Sequence, residues 1–250
     1  MKQDFEFNEE QVPYGILEPF GLTQTMIEDL PKPVIVSILD GGRSPLLPVK
    51  VKDEKGNTVK ARARFRLFRN DDGDIDVVFY PRVGRWPIDS YTPEEQEKLK
   101  DFRAILSHAP DDPELKCFVQ LDPETGQVVY VPTPIIGKNL SVLINHFRPS
   151  ASAIRLVQQG EPVSLLEGED QVVAGIDLLS RKGIRIVQGT IQDWKREVEE
   201  YDMKRYNFGL YGCWYRNDGD DLEYVAEEDY TEEIWKAFDE EADRVKAMKR

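Results

Sequence analysis

The sequence predicts an α+β fold, with antiparallel β-hairpins forming one or two sheets and helices packed on one face. Three observations carry this. Polar and apolar residues alternate on both sides of the turn in "VKARARFRLFRNDDGDIDVVFYP". "TPEEQEKLKDF" has a capped, helix-period pattern. Strand–turn–strand units then recur at "DPETG", "RKG" and "NDGDD".

In chain order, "VPYGILEPFGL" and "TQTMIEDL" read as two short helices. Gly21 breaks the first and Thr23 caps the second. "PVIVSIL" suits either a strand or a short buried helix, and "GGRSP" is a loop. "LLPVKVK" is a strand ending at a turn around Gly56. The next hairpin turns at Asn70–Gly73, with Gly73 in the left-handed conformation closing a bulge. Its register pairs Leu67 with Val77 and Phe65 with Phe79, which puts Ala63, Phe65, Leu67, Ile75, Val77 and Phe79 on one apolar face. Lys60, Arg62, Arg64 and Arg66 line the other face, opposite Asp74, Asp76, Val78 and Tyr80.

"SYTPEEQEKLKDFRAIL" is the clearest helix. Thr92 is its N-cap, Pro93 sits at its first position, and Leu99, Phe102 and Leu106 form its buried stripe. A hairpin at "DPETG", a helix near Ser141 to Phe147, a helix ending at Gly160, a strand and the "RKG" hairpin follow. From about residue 190 the character changes. "TIQDWKREVEEYDMKRY" is amphipathic through Ile191, Trp194, Val198 and Tyr201. "NFGLYGCWYR" reads as one aromatic strand with Phe208, Leu210 and Trp214 on one face. A last helix carries Ile234, Phe238 and Val245 on its packing side. The expected organisation is a main body over 1–190 and an acidic, aromatic helix–hairpin–helix unit over 191–250. "FRNDDGDIDVVFY" and "YRNDGDDLEYV" share a strand–turn–strand pattern, which convergent turn chemistry or two related β-units would explain.

With 250 residues and 40% hydrophobic content, the chain can bury a core. A net charge of -14 argues against a general nucleic-acid coat. Any nucleic-acid contact is therefore confined to the local basic face. The N-terminus has no signal-peptide pattern, no apolar run reaches spanning length, and two cysteines make no disulfide framework. The expectation is a soluble cytoplasmic protein that does not associate with membranes.

Catalytic and metal signatures are weak. His108 and His146 are the only histidines, and no nucleophile elbow accompanies them. "DDGDID" begins like a calcium loop, but Val77 and Val83 stand where glycine and glutamate are required. "DGGRSP" could form an anion nest or a plain turn. No catalytic residue, metal site or cofactor is assigned.

Several segments, in order, resemble a known family: "QVPYGILEPFGLTQTMIEDL", "PLLPVKV", "ARARFRLFRNDDGDIDVVFYP", "SYTPEEQEKLK" and "FVQLDPETGQVVYVPT". The likeness is to an uncharacterised domain family of Bacteroidetes mobile-element proteins. "LVQQGEPVSLLEGE" and "IDLLSRKGIRIV" are similar to its companion repeat, found beside topoisomerase-type proteins. The resemblance covers roughly residues 10 to 190 and implies a setting in conjugative elements, with no activity or functional residue to carry over. Tyr14, where the family usually has Trp, and the acidic aromatic C-terminal part depart from its pattern.

The functional expectation is a non-enzymatic interaction module. It would bind a protein or nucleoprotein through Lys60, Arg62, Arg64, Arg66 and Tyr80, together with the aromatic C-terminal strand. An acidic DNA mimic that inhibits a DNA-binding enzyme is the alternative, and an enzyme with an unrecognised site is a third.

Overall fold

A computed structural model describes residues 6–166, 171–180, 182–196 and 203–248. The fold is α+β, and among the described residues the strands form four three-stranded sheets. The chain divides into two compact units, one made of residues 1–79 with 201–250 and the other of residues 80–200. This grouping differs from the expected split near residue 190, because the C-terminal segment packs with the N-terminal one.

The first unit opens with α1 (Tyr14–Leu17), α2 (Gln24–Glu28) and α3 (Lys32–Leu39). Gly21 at φ 79° ends the first turn, and Thr23 Oγ1 accepts from Met26 N as the cap of α2. "PVIVSIL" resolves as helix α3. Prolines start it, and Val34 and Ile38 are buried four residues apart. Strands β1 (Leu47–Lys52), β2 (Thr58–Arg69) and β3 (Ile75–Pro81) form the first sheet in that order. The expected hairpin turn is present. Gly73 N donates to Asn70 O at 3.0 Å, Asn70 N donates to Asp74 O at 2.9 Å, and Gly73 sits at φ 86°. Ala63, Phe65 and Leu67 are buried against Leu17, Leu22, Ile27 and Ile38, with Ile75, Val77 and Phe79 packed beside them. The rings of Phe65 and Phe79 lie 6.3 Å apart.

The second unit contains α4 (Pro93–Lys100), β4 (Ile105–Ala109), β5 (Asp112–Leu121) and β6 (Val128–Pro132). Helix α5 (Thr133–Phe147), α6 (Ala151–Gln158), β7 (Val163–Leu166), β8 (Val172–Ile176), β9 (Ile184–Gln188) and α7 (Ile191–Arg196) follow. Thr92 caps α4 as expected, in a capping box with Glu95. The helix is shorter than the sequence suggests. Phe102 adopts φ 55°, and the residues after it pair as β4, which leaves Leu106 47% exposed on a strand. Its apolar spacing matched a helical stripe by coincidence. Of the amphipathic segment that follows β9, Trp194 is buried in α7, while Val198 and Tyr201 lie outside the described residues.

The first unit is completed by β10 (Tyr206–Phe208), β11 (Gly212–Arg216), β12 (Leu222–Ala226) and α8 (Glu232–Met248). "NFGLYGCWYR" is therefore two strands, not one. Gly209 N donates to Gly212 O at 2.8 Å across a tight turn, and Leu210 at its tip is 77% exposed. The echo between the two "ND" turns is geometric. Asp220 N donates to Asn217 O and Asn217 N to Asp221 O, as in the Asn70 turn, with Asp220 at φ 62° in place of Gly73.

Candidate interaction surface

The four cations of β2 do not form an open basic face, contrary to expectation. Lys60 is exposed, and across the ladder it stands opposite Lys50. Arg62 keeps only 16% of its side chain exposed. Its Nε meets Asp221 Oδ2 at 3.0 Å, its Nη1 donates to Leu222 O at 2.7 Å, and its Nη2 pairs with Glu223. Arg64 is buried and Arg66 half-buried, with the Arg66 backbone in a β-bridge to Arg43. Tyr80 is half-buried on β3. For Arg62 the physical reason is the acidic start of β12, which lies on it and neutralises it. Burying cations requires such partners.

The C-terminal segment is seated by two further buried groups. Trp214 is fully buried in the core of the first unit, and its Nε1 donates to Met26 O at 2.7 Å. Asp29, 4% exposed, accepts from Leu210 N at 2.6 Å, from Tyr211 N at 3.1 Å and from the Tyr224 hydroxyl at 2.7 Å. Burial and then the Asp29 hydrogen bond push the Tyr224 phenol well up. Gly209 is required at this turn, since a Cβ there would meet Asp29 Cγ at 2.2 Å.

Beyond this buried seat, the segment carries a run of linked aromatic rings. Phe208 lies 5.1 Å from Phe238 and 6.0 Å from Tyr230, edge-on in both cases. Trp235 lies 5.2 Å from Tyr230 and 5.8 Å from Phe238. Ile234 turns inward and is buried, whereas Trp235 is 41% and Phe238 38% exposed. Phe238 thus packs on Phe208 as expected but stays partly in solvent, and the side chain of Val245 lies outside the described residues. Burial, then nearby negative groups, raises the Tyr230 phenol to about 12. Glu233 accepts from the Tyr206 hydroxyl at 2.7 Å and from Arg205 at 3.2 Å, and Glu241 is paired with Lys204 at 2.9 Å. Tyr211, 44% exposed, and Leu210 are further exposed apolar side chains, at the β10–β11 turn. The expectation of one continuous strand hid this turn. The signal that could have revealed it was "GLYG", two glycines bracketing an exposed pair.

The groups considered for chemistry lie elsewhere in the fold. His108 stacks on Tyr91 with centroids 5.3 Å apart, and its Nδ1 lies 2.8 Å from Ala109 O. His146 sits in the last turn of α5, edge-on to Phe147. Cys117 and Cys213 are buried free thiols, and burial raises Cys213 to about 11. "GGRSP" spends its amides internally. Gly42 N donates to Ser37 O and Ser44 N to Phe65 O, both at 2.8 Å, which is a connecting bend and no anion nest. Among the described residues, no three His, Cys, Asp or Glu side chains gather as a metal set, and no helix is long and apolar enough to cross a membrane.

Residues 7–86 match a family described as "Protein of unknown function (DUF4099)". The match runs from the N-terminal helices through the first sheet. No curated protein and no solved structure matches the chain.

Proposed function

We propose that this chain is a non-enzymatic interaction module that takes a protein partner on the aromatic surface of β10 and α8. Its setting would be the mobile element implied by the family resemblance. The observation that carries this reading is the connected set of Phe208, Tyr230, Trp235 and Phe238, two of which keep more than a third of their surface in solvent. Single exposed apolar residues are ordinary, but a contiguous aromatic patch is characteristic of a contact surface. Aromatic side chains contribute large contact area with few torsions to immobilise. In this reading Arg62 acts inside the fold, where it holds the acidic start of β12 in the same unit as the patch. The observation that supports this is the Arg62 pairing with Asp221 and Glu223.

A photo-crosslinking amino acid placed at Trp235 tests the proposal in cells that naturally carry the gene. The control position is Val142 in the second unit, 69% exposed. A discrete adduct from position 235 that is missing from position 142 is expected. Absence of any discrete adduct, or the same adducts from both positions, would overturn the reading.

A further inference from the structure

We infer that the partner segment seated on this aromatic surface is cationic, an amphipathic stretch of protein bearing Lys or Arg beside apolar residues. The inference rests on the interaction-module reading and specifies the chemistry of its ligand. Between Glu227 and Asp243 the chain carries nine carboxylates and one cation, Lys236. Glu233 and Glu241 are engaged by Arg205, Tyr206 and Lys204. Glu227, Glu228, Asp229, Glu232, Asp239 and Glu240 are exposed.

Helix geometry puts two of these carboxylates beside the patch. Glu232 precedes Trp235 by three residues and Asp239 follows it by four, the spacings at which side chains on a helix are neighbours. Glu228 and Asp229 immediately precede Tyr230, whose ring meets Trp235. A ligand on the rings is therefore rimmed by negative charge on at least two sides.

The rings favour the same sign of charge. Their faces are electronegative and attract ammonium and guanidinium groups, Trp most strongly. The chain already makes this contact internally. Arg205 lies over Tyr206 at 5.6 Å and Arg185 over Trp194 at 4.1 Å. Carboxylate rim and aromatic centre thus select one ligand class together. A nucleic acid or an anionic lipid surface would be repelled by the same rim, and the net charge of -14 extends that field over the molecule.

The intact chain can be titrated calorimetrically with a synthetic helical peptide of Leu and Lys. Companion peptides replace every Lys by Gln or by Glu. Saturable binding of the Lys peptide is expected, weakening as salt is raised. The double variant W235A/F238A removes the apolar centre. The triple variant E228Q/E232Q/D239N removes the rim charge without changing side-chain size. Each should weaken binding about tenfold or more, with unchanged circular dichroism confirming the fold. A Gln peptide that binds as tightly, or a rim variant that binds like the parent, would overturn the cationic assignment while leaving the aromatic surface as a contact site. Failure of every peptide to bind would overturn it too, and the crosslink from position 235 judges the underlying reading independently.

Discussion

At Arg62 burial changes the meaning of a residue. Charge reversal of an exposed strand cation costs within about 1 kcal/mol, because both states are solvated. Arg62 is only 16% exposed and holds two carboxylates and a carbonyl. Arg62→Glu should therefore lower unfolding free energy by about 3 kcal/mol, since it leaves Asp221 and Glu223 facing a third negative charge. Urea denaturation measures this, and an unchanged midpoint would show that the pairing is idle. Asp29 is the complementary case. Asp29→Ala strands two backbone amides and the Tyr224 hydroxyl, three donors at a part-buried site, at a cost of about 3 kcal/mol. Phe65, fully buried beneath the N-terminal helices, should cost about 3–5 kcal/mol on replacement by Ala. The Phe65 expectation was legible from alternation alone. The pairing of Arg62 was not, because its partners lie about 160 residues away in sequence.

Elements were legible where local chemistry decides them. The Thr92 capping box and the left-handed Gly73 turn both depend on residues within a few positions of each other. The end of α4 was not. Phe102 takes a left-handed backbone without being glycine, which no residue-type rule favours, and β4 then forms because β5 offers a partner. For α8, the buried Ile234 and the Phe238–Phe208 contact make the helix part of the first unit's packing. Truncation after Tyr230 should lower the melting temperature by several degrees, from lost apolar burial. A scanning-calorimetry trace that superimposes on the full-length one would make the helix an appendage.

At the scale of the whole molecule, residues from both ends of the chain share one hydrophobic cluster. Trp214, Leu222 and Met203 pack with Phe7, Leu22 and Phe65. A chain ending at residue 200 would leave that cluster open, although it retains all of residues 7–86. It should bind a hydrophobic dye and lose cooperative unfolding of the first unit, and a native-like melt from it would contradict the shared cluster. Alkali tests burial in both units. Burial, the largest cause in each case, raises Tyr91 and Tyr230 to about 12 from 10.0 in the unfolded chain, and Cys213 to about 11 from 9.0. Below the unfolded values these groups are protonated in both states and make no difference. Above them the unfolded chain releases protons that the folded one retains, so stability should fall from about pH 9 through pH 12. Denaturation midpoints across that range check the sign. A thiol reagent at neutral pH should find Cys117 and Cys213 unreactive until the protein unfolds.

The sequence by itself determined the α+β class, most hairpins and caps, and the inward face of β2. Each follows from spacing, turn chemistry or periodicity within a short window. Tertiary structure alone decided the role of the cationic stripe and the placement of the C-terminal segment. Whether a period-two row of arginines faces water or a distant acidic strand is set by which segments meet across the core. The same burial that draws Trp214 inward carries Asp221 and Glu223 onto Arg62, and it leaves Trp235 and Phe238 at the surface. Periodicity identifies a residue's face, but only the assembled fold determines what covers it.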